Sequence, residues 1–148
     1  MRRILFISVA VLLLLTGCTE QQAKPPDTQT PNGIAYFAPK YEVVSQTDDE
    51  LIIEVKNQNT TVATYSYSSG QRYDLRLSQN GELLYTWSSD KSFLQATSES
   101  KVTQGESEIY TVDLTDLPTE KGTYELEFWS VAKELKNIEP LSLNITIK

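Results

Sequence analysis

From residue 41 to residue 148, apolar side chains recur at every second position. Leu51-Ile-Ile-Glu-Val55, Tyr73-Asp-Leu-Arg-Leu77, Tyr124-Glu-Leu-Glu-Phe128 and Leu141-Ser-Leu-Asn-Ile-Thr-Ile147 each place alternate side chains on one face. A period of two predicts half-buried strands, because successive side chains of an extended backbone point to opposite faces. Threonine, tyrosine and valine, which suit a pleated surface, are frequent throughout. Turn residues separate the runs at Asp48-Asp49, Ser69-Gly70, Asn80-Gly81, Gln104-Gly105 and Lys121-Gly122. That spacing suits antiparallel hairpins better than strand-helix-strand units. Only Ala132-Lys-Glu-Leu-Lys136 has the composition of a short helical turn. Seven or eight strands in about 105 residues, without long helices, predict an all-β fold: an immunoglobulin-like antiparallel β-sandwich.

The first 40 residues break this pattern. Met1-Arg2-Arg3 is positively charged, and Ile4 to Leu15 is apolar except for Ser8. As a helix, the stretch to Gly17 would span about 21 Å against about 30 Å of membrane hydrocarbon, too short for a comfortable crossing. A charged start and a short apolar core have the form of a secretion signal. Leu15-Thr16-Gly17-Cys18 matches the lipobox of bacterial lipoproteins, in which small residues admit the peptidase and the cysteine thiol accepts a diacylglyceryl group. Residues 1–17 are therefore expected to be a lipoprotein signal peptide and Cys18 the lipidated first residue of the mature chain. The two or three acyl chains of such a modification anchor stably, where one would not. Residues 18–40 are expected to form a flexible tether, polar and proline-bearing, with a reach on the order of 25–50 Å. Tyr36-Phe-Ala-Pro39 is its lead-in to a folded domain at residues 41–148. The expected location is the extracytoplasmic face of the cell membrane.

Composition narrows the chemistry. The chain carries 13 basic and 20 acidic residues, and removal of residues 1–17 takes Arg2 and Arg3 with it, moving the net charge from −7 to −9. Nucleic acid and anionic headgroups are disfavoured partners for such a surface. Cys18 is the only cysteine, which excludes an intramolecular disulfide and a cysteine-rich metal site. The absence of histidine removes Ser-His-Asp and Cys-His catalysis and histidine-ligated zinc. Ser88-Ser-Asp-Lys91 and Ser98-Glu-Ser-Lys101 both fit a Ser-x-x-Lys pattern, but its companion motifs are missing. The carboxylates of Asp48-Asp-Glu50 and of Asp113 and Asp116 read as solvated turns; a calcium ion would need them to converge. No catalytic residue, metal ligand or cofactor is assigned.

Five motifs occur in an order that carries more than any one of them: Ser69-Gly-Gln-Arg-Tyr-Asp-Leu75, Asn80-Gly-Glu-Leu-Leu-Tyr-Thr-Trp-Ser88, Phe93-Leu-Gln-Ala96, Gln104-Gly-Glu-Ser107 and Gly122-Thr-Tyr124. Across Leu51 to Val131 the chain resembles the BsuPI family of bacterial intracellular proteinase inhibitors. It departs from the family pattern at Gln104, where a proline is usual, and around Leu114, where a tryptophan is common. The resemblance implies a small immunoglobulin-like sandwich and, as function, inhibition of a protease. Gly70, Gly81, Gly105 and Gly122 also read as turn formers, and Tyr73, Trp87 and Tyr124 as core fillers.

An inhibitor presents an extended loop to the enzyme's active-site cleft. The eligible loop is Ser88 to Thr97, and its candidate protease-contact residues are Ser88, Ser89, Asp90, Lys91, Ser92, Phe93 and Leu94. Apolar residues in a long loop usually need burial, so Phe93 and Leu94 are expected to cap one end of the sandwich, leaving Lys91 the more exposed candidate. The alternative is a non-inhibitory binding or assembly module that recruits another envelope protein through a sheet face, an edge strand, or a patch around Trp129 or a tyrosine stripe.

Overall fold

Alternation converts directly into strands in the computed structural model, which describes residues 36–148. The expected signal peptide (residues 1–17), Cys18 and most of the expected tether lie outside the described residues. Among the described residues nine strands form: β1 (Tyr41–Gln46), β2 (Glu50–Lys56), β3 (Ala63–Tyr67), β4 (Tyr73–Gln79), β5 (Glu82–Thr86), β6 (Ser98–Val102), β7 (Ser107–Asp113), β8 (Gly122–Ser130) and β9 (Leu141–Ile147). The helical composition at residues 132–136 yields one 3-10 turn, Lys133–Leu135, and a second covers Trp87–Asp90.

All pairings are antiparallel. One sheet has the order β1-β2-β7, the other β5-β4-β8-β9, and β3 pairs with β6 as a separate two-stranded ribbon. Two Greek-key sheets of this order are the arrangement of an immunoglobulin-like sandwich, with β5 extending the second sheet at its edge. The inner faces hold Leu51, Ile53 and Val55 of β2, Tyr110 and Val112 of β7, Leu75 and Leu77 of β4, and Leu126 and Phe128 of β8, all buried. Register matches these faces across the ladders: Leu51 opposes Val112, Ile53 opposes Tyr110, Leu75 opposes Phe128 and Leu77 opposes Leu126. Phe128 sits at the centre of an aromatic cluster, 5.4 Å from the rings of Tyr41, Tyr73 and Tyr110.

Local chemistry fixes the connections. Asn80 (φ 54°) and Gly81 (φ 80°) both take left-handed backbone, the geometry a two-residue hairpin needs between β4 and β5. Between β7 and β8 the chain plugs the end of the sandwich with Leu114 and Leu117, both buried. Near the start of β8 the Tyr124 hydroxyl donates to the Glu120 carbonyl at 2.7 Å. This is the tyrosine corner of immunoglobulin-like folds, and it fixes the angle at which the strand enters its sheet. At the N-terminal side, the Asn59 side chain clasps the lead-in segment: Phe37 N–H donates to Oδ1 (2.9 Å) and Nδ2 donates to the Phe37 carbonyl (3.0 Å). The chain therefore reaches β1 by a defined path over the loop between β2 and β3.

Candidate functional site

The segment from Ser88 to Thr97 crosses from β5 in the larger sheet to β6 in the small ribbon. Trp87 opens it with its ring stacked on Tyr73 at 4.6 Å, which ties the loop to the core aromatic cluster. Ser88 then turns to the outer face and anchors on Asp74, a buried carboxylate of β4. Its N–H donates to Asp74 Oδ1 at 3.1 Å and its hydroxyl to Oδ2 at 2.6 Å. The Leu75 N–H is a third donor to the same carboxylate, at 2.9 Å. Three donors at a buried carboxylate compensate its loss of water. The Ser89 hydroxyl donates to the Thr86 carbonyl at 2.6 Å and closes the 3-10 turn.

The far end is fastened by Arg72, which follows the β3–β4 turn. Its Nη1 donates to Ser98 Oγ at 3.2 Å, at the first residue of β6, and its Nη2 donates to Glu108 Oε1 at 2.8 Å. Its guanidinium lies 3.7 Å from the centroid of the Tyr67 ring. Between these two fastenings the Gly70 N–H donates to the Leu94 carbonyl at 2.8 Å, so the β3–β4 turn backs the middle of the loop.

Within this frame the candidate residues separate. Ser88 and Ser89 are spent on holding the loop. Asp90 accepts from the Tyr85 hydroxyl at 3.2 Å and lies 4.0 Å from Lys91 Nζ. The Lys91 ammonium rests 5.1 Å from the Trp87 ring centroid, and its side chain is only 30% exposed. Ser92 is exposed. Phe93 is half-buried against Trp87 at 5.5 Å and does cap that edge of the core. Leu94 does the opposite of what its hydrophobicity predicts. It is 78% exposed, more than Lys91, and projects from the loop. Its backbone is the part that is held, by the carbonyl's bond from Gly70 N–H, while the end of the side chain stays in solvent. The Ser-x-x-Lys pairs do not form catalytic couples here, since Ser88 bonds Asp74 and Ser98 bonds Arg72.

Asp74, Gly70 and Arg72 were not legible as supports of this loop. Asp74 occupies an outward position in an alternating strand, which in sequence is indistinguishable from any solvated carboxylate. Trp129, considered as an exposed patch, is half-buried with the Arg76 guanidinium 5.0 Å from its ring centroid.

Behind the loop lies a buried polar network. Glu108, on the inner face of β7, accepts from Arg72, from the Tyr67 hydroxyl at 3.0 Å and from the Ser100 hydroxyl. The Tyr67 and Tyr110 hydroxyls are 3.0 Å apart, and Tyr110 reaches Ser130 Oγ at 2.9 Å. The Ser130 N–H in turn donates to the Tyr41 hydroxyl at 2.9 Å. Burial pushes the Tyr67 phenol up to about 12, and the neighbouring Glu108 carboxylate opposes its ionisation further. Burial raises Tyr110 and Tyr41 as well. Among the described residues no group of three or more histidine, cysteine, aspartate or glutamate side chains is arranged to hold a metal ion.

No curated protein matches the chain. Among solved structures it is similar to a β-glucosidase from Kluyveromyces marxianus in complex with glucose, at 14% identity and a TM-score of 0.40, over 78% of this chain and 15% of that one. The chain thus spans a small fraction of that enzyme's length. The family described as "BsuPI: Intracellular proteinase inhibitor" matches residues 38–135, from the lead-in segment through the second 3-10 turn. The chain belongs to the BsuPI family of intracellular proteinase inhibitors.

Proposed function

We propose that this protein is an extracytoplasmic, lipid-anchored proteinase inhibitor that binds a serine protease through the loop Ser88–Leu94. Family membership supports inhibition as the activity class. The observation that carries the choice of loop is its bracing: Ser88 is fastened to Asp74, Ser98 to Arg72 and Leu94 to Gly70, while the Leu94 side chain projects into solvent. A loop held in one conformation before binding loses little entropy on docking, which is how a small domain gains affinity from a short contact. Export is supported by the charged start, the short apolar run and the Leu-Thr-Gly-Cys18 motif, and it would place the inhibitor outside the compartment named in the family's description.

Two measurements test the reading. The full chain, purified in mild detergent, is expected to inhibit at least one enzyme stoichiometrically when titrated against a panel of secreted and membrane-associated serine proteases. A folded chain that inhibits none of them would overturn the assignment. Separately, Cys18→Ala is expected to move the protein from the membrane to the soluble fraction of expressing cells. An unchanged membrane fraction would remove the lipid anchor.

A further inference from the structure

We infer that Leu94 engages the target as an uncleaved apolar knob: its side chain enters an apolar pocket while its own carbonyl group is withheld from the enzyme's nucleophile. This rests on the inhibitor reading above and specifies the kind of contact and the kind of pocket.

The carbonyl decides the point. A serine protease cleaves a bond whose carbonyl oxygen enters the oxyanion hole, where donors must stand about 2.7–3.1 Å from it as negative charge develops. The Leu94 oxygen already accepts two hydrogen bonds, from Gly70 N–H at 2.8 Å and from Ala96 N–H at 3.0 Å. A carbonyl oxygen has two lone pairs, and both are engaged. The Ala96 bond also turns the chain sharply at Gln95, so the residues after Leu94 do not run on in the extended form that a cleavage site requires. Gly70 lies close along the same backbone: a methyl group on its Cα would meet the N, O and Cβ of Leu94 at 3.6–3.8 Å. That face of the peptide is therefore covered by the protein itself.

Beyond that Cβ the Leu94 side chain projects into solvent. Leu94 is the most exposed of the large apolar residues described, on a loop whose neighbours Phe93 and Lys91 are both turned back onto Trp87. With Lys91 lying over an aromatic ring beside Asp90, the loop offers an apolar anchor and not a basic one. The partner pocket is therefore apolar, and the inhibitor is not cut after Leu94 because that carbonyl is not presented for attack.

The test uses the full chain in detergent with three probes: subtilisin and chymotrypsin, whose primary pockets accept large apolar side chains, and trypsin, whose pocket is acidic. Inhibition of an apolar-pocket enzyme is expected, with Leu94→Ala raising the inhibition constant by about tenfold to a hundredfold, the size of an anchor residue's truncation. Val44→Ala, an exposed apolar residue on β1, is expected to leave the constant unchanged. Intact-mass measurement after prolonged incubation is expected to find the Leu94–Gln95 bond whole. Inhibition that survives Leu94→Ala, inhibition confined to trypsin, or cleavage after Leu94 during inhibition would each overturn the knob while leaving an inhibitor. Failure of the wild-type chain to inhibit subtilisin and chymotrypsin, with another enzyme of the wider panel inhibited, would overturn the knob alone; failure against the whole panel would take it down together with the inhibitor reading.

Discussion

Raising the pH from 9 to 12 is expected to unfold this domain, and the tyrosines are the cause. Of the chain's eight tyrosines, five are buried: Tyr41, Tyr65, Tyr67, Tyr110 and Tyr124. Tyr73 is half-buried between Trp87 and Phe128. Burial raises Tyr67 and Tyr73 from 10.0 to about 12; Asp113 and Asp116 add to the shift at Tyr73. The folded state therefore favours the neutral phenol. Below pH 10 both states are protonated and the full stability is present. Above it the unfolded chain loses protons that the native chain keeps, so stability falls with rising pH until the native groups themselves titrate near 12. At about 1.4 kcal/mol per unit, and allowing for screening at half-exposed Tyr73, the pair alone removes roughly 4 kcal/mol, a large part of a small domain's 5–15. Tyr110 and Tyr41, raised in the same direction, add to the loss. Near-ultraviolet circular dichroism should show one cooperative transition between pH 10 and 12, accompanied by a step in tyrosinate absorbance. Smooth titration of all eight phenols near pH 10, with the fold intact, would contradict the burial on which the expectation rests.

The tyrosines were visible in the sequence as strand formers, but only partly as a network. Period-two alternation located β2, β4, β8 and β9, because each has one face on a continuous apolar core and the other in water. Asn80-Gly81 located a hairpin for an equally local reason, the demand of a tight turn for left-handed backbone. β5 was harder: Leu83 and Leu84 are consecutive and both exposed, and the irregular register between Leu77 and Ser78 removes the alternation. The polar network was not legible at all. Glu108 sits at an inward position that alternation assigns to an apolar residue, and its partners Tyr67 and Arg72 come from 41 and 36 residues away. Long-range pairing likewise decided the candidate loop. Hydrophobicity assigns Leu94 to the core, but its backbone is fastened by a bond from Gly70, 24 positions earlier, and its side chain lies outside. Local composition carries no trace of such a bond.

Glu108→Ala is expected to destabilise the domain by about 2–3 kcal/mol, below the 3–5 of a fully buried broken pair because the Arg72 side chain is 39% exposed. The carboxylate is the common acceptor for Arg72, Tyr67 and Ser100, and its removal leaves two hydroxyls and a partly buried cation without that acceptor. Arg72→Ala should cost less in the Glu108→Ala background than in the wild type, since the cation has already lost its counterion; urea titration of the four proteins gives the coupling directly. Equal costs in both backgrounds would mean that the pair contributes only its separate packing. The functional consequence follows from geometry. Arg72 joins Glu108 on β7 to Ser98 at the end of the loop and lies two residues from Gly70, the donor that holds the Leu94 carbonyl. Glu108→Ala therefore loosens the turn behind the loop as well as the core. Under conditions where the variant remains folded, hydrogen exchange should accelerate at the Gly70 and Ala96 amides while the β2 and β8 ladders stay protected. Acceleration spread evenly over all strands would show that the network supports the sandwich as a whole and not the loop in particular.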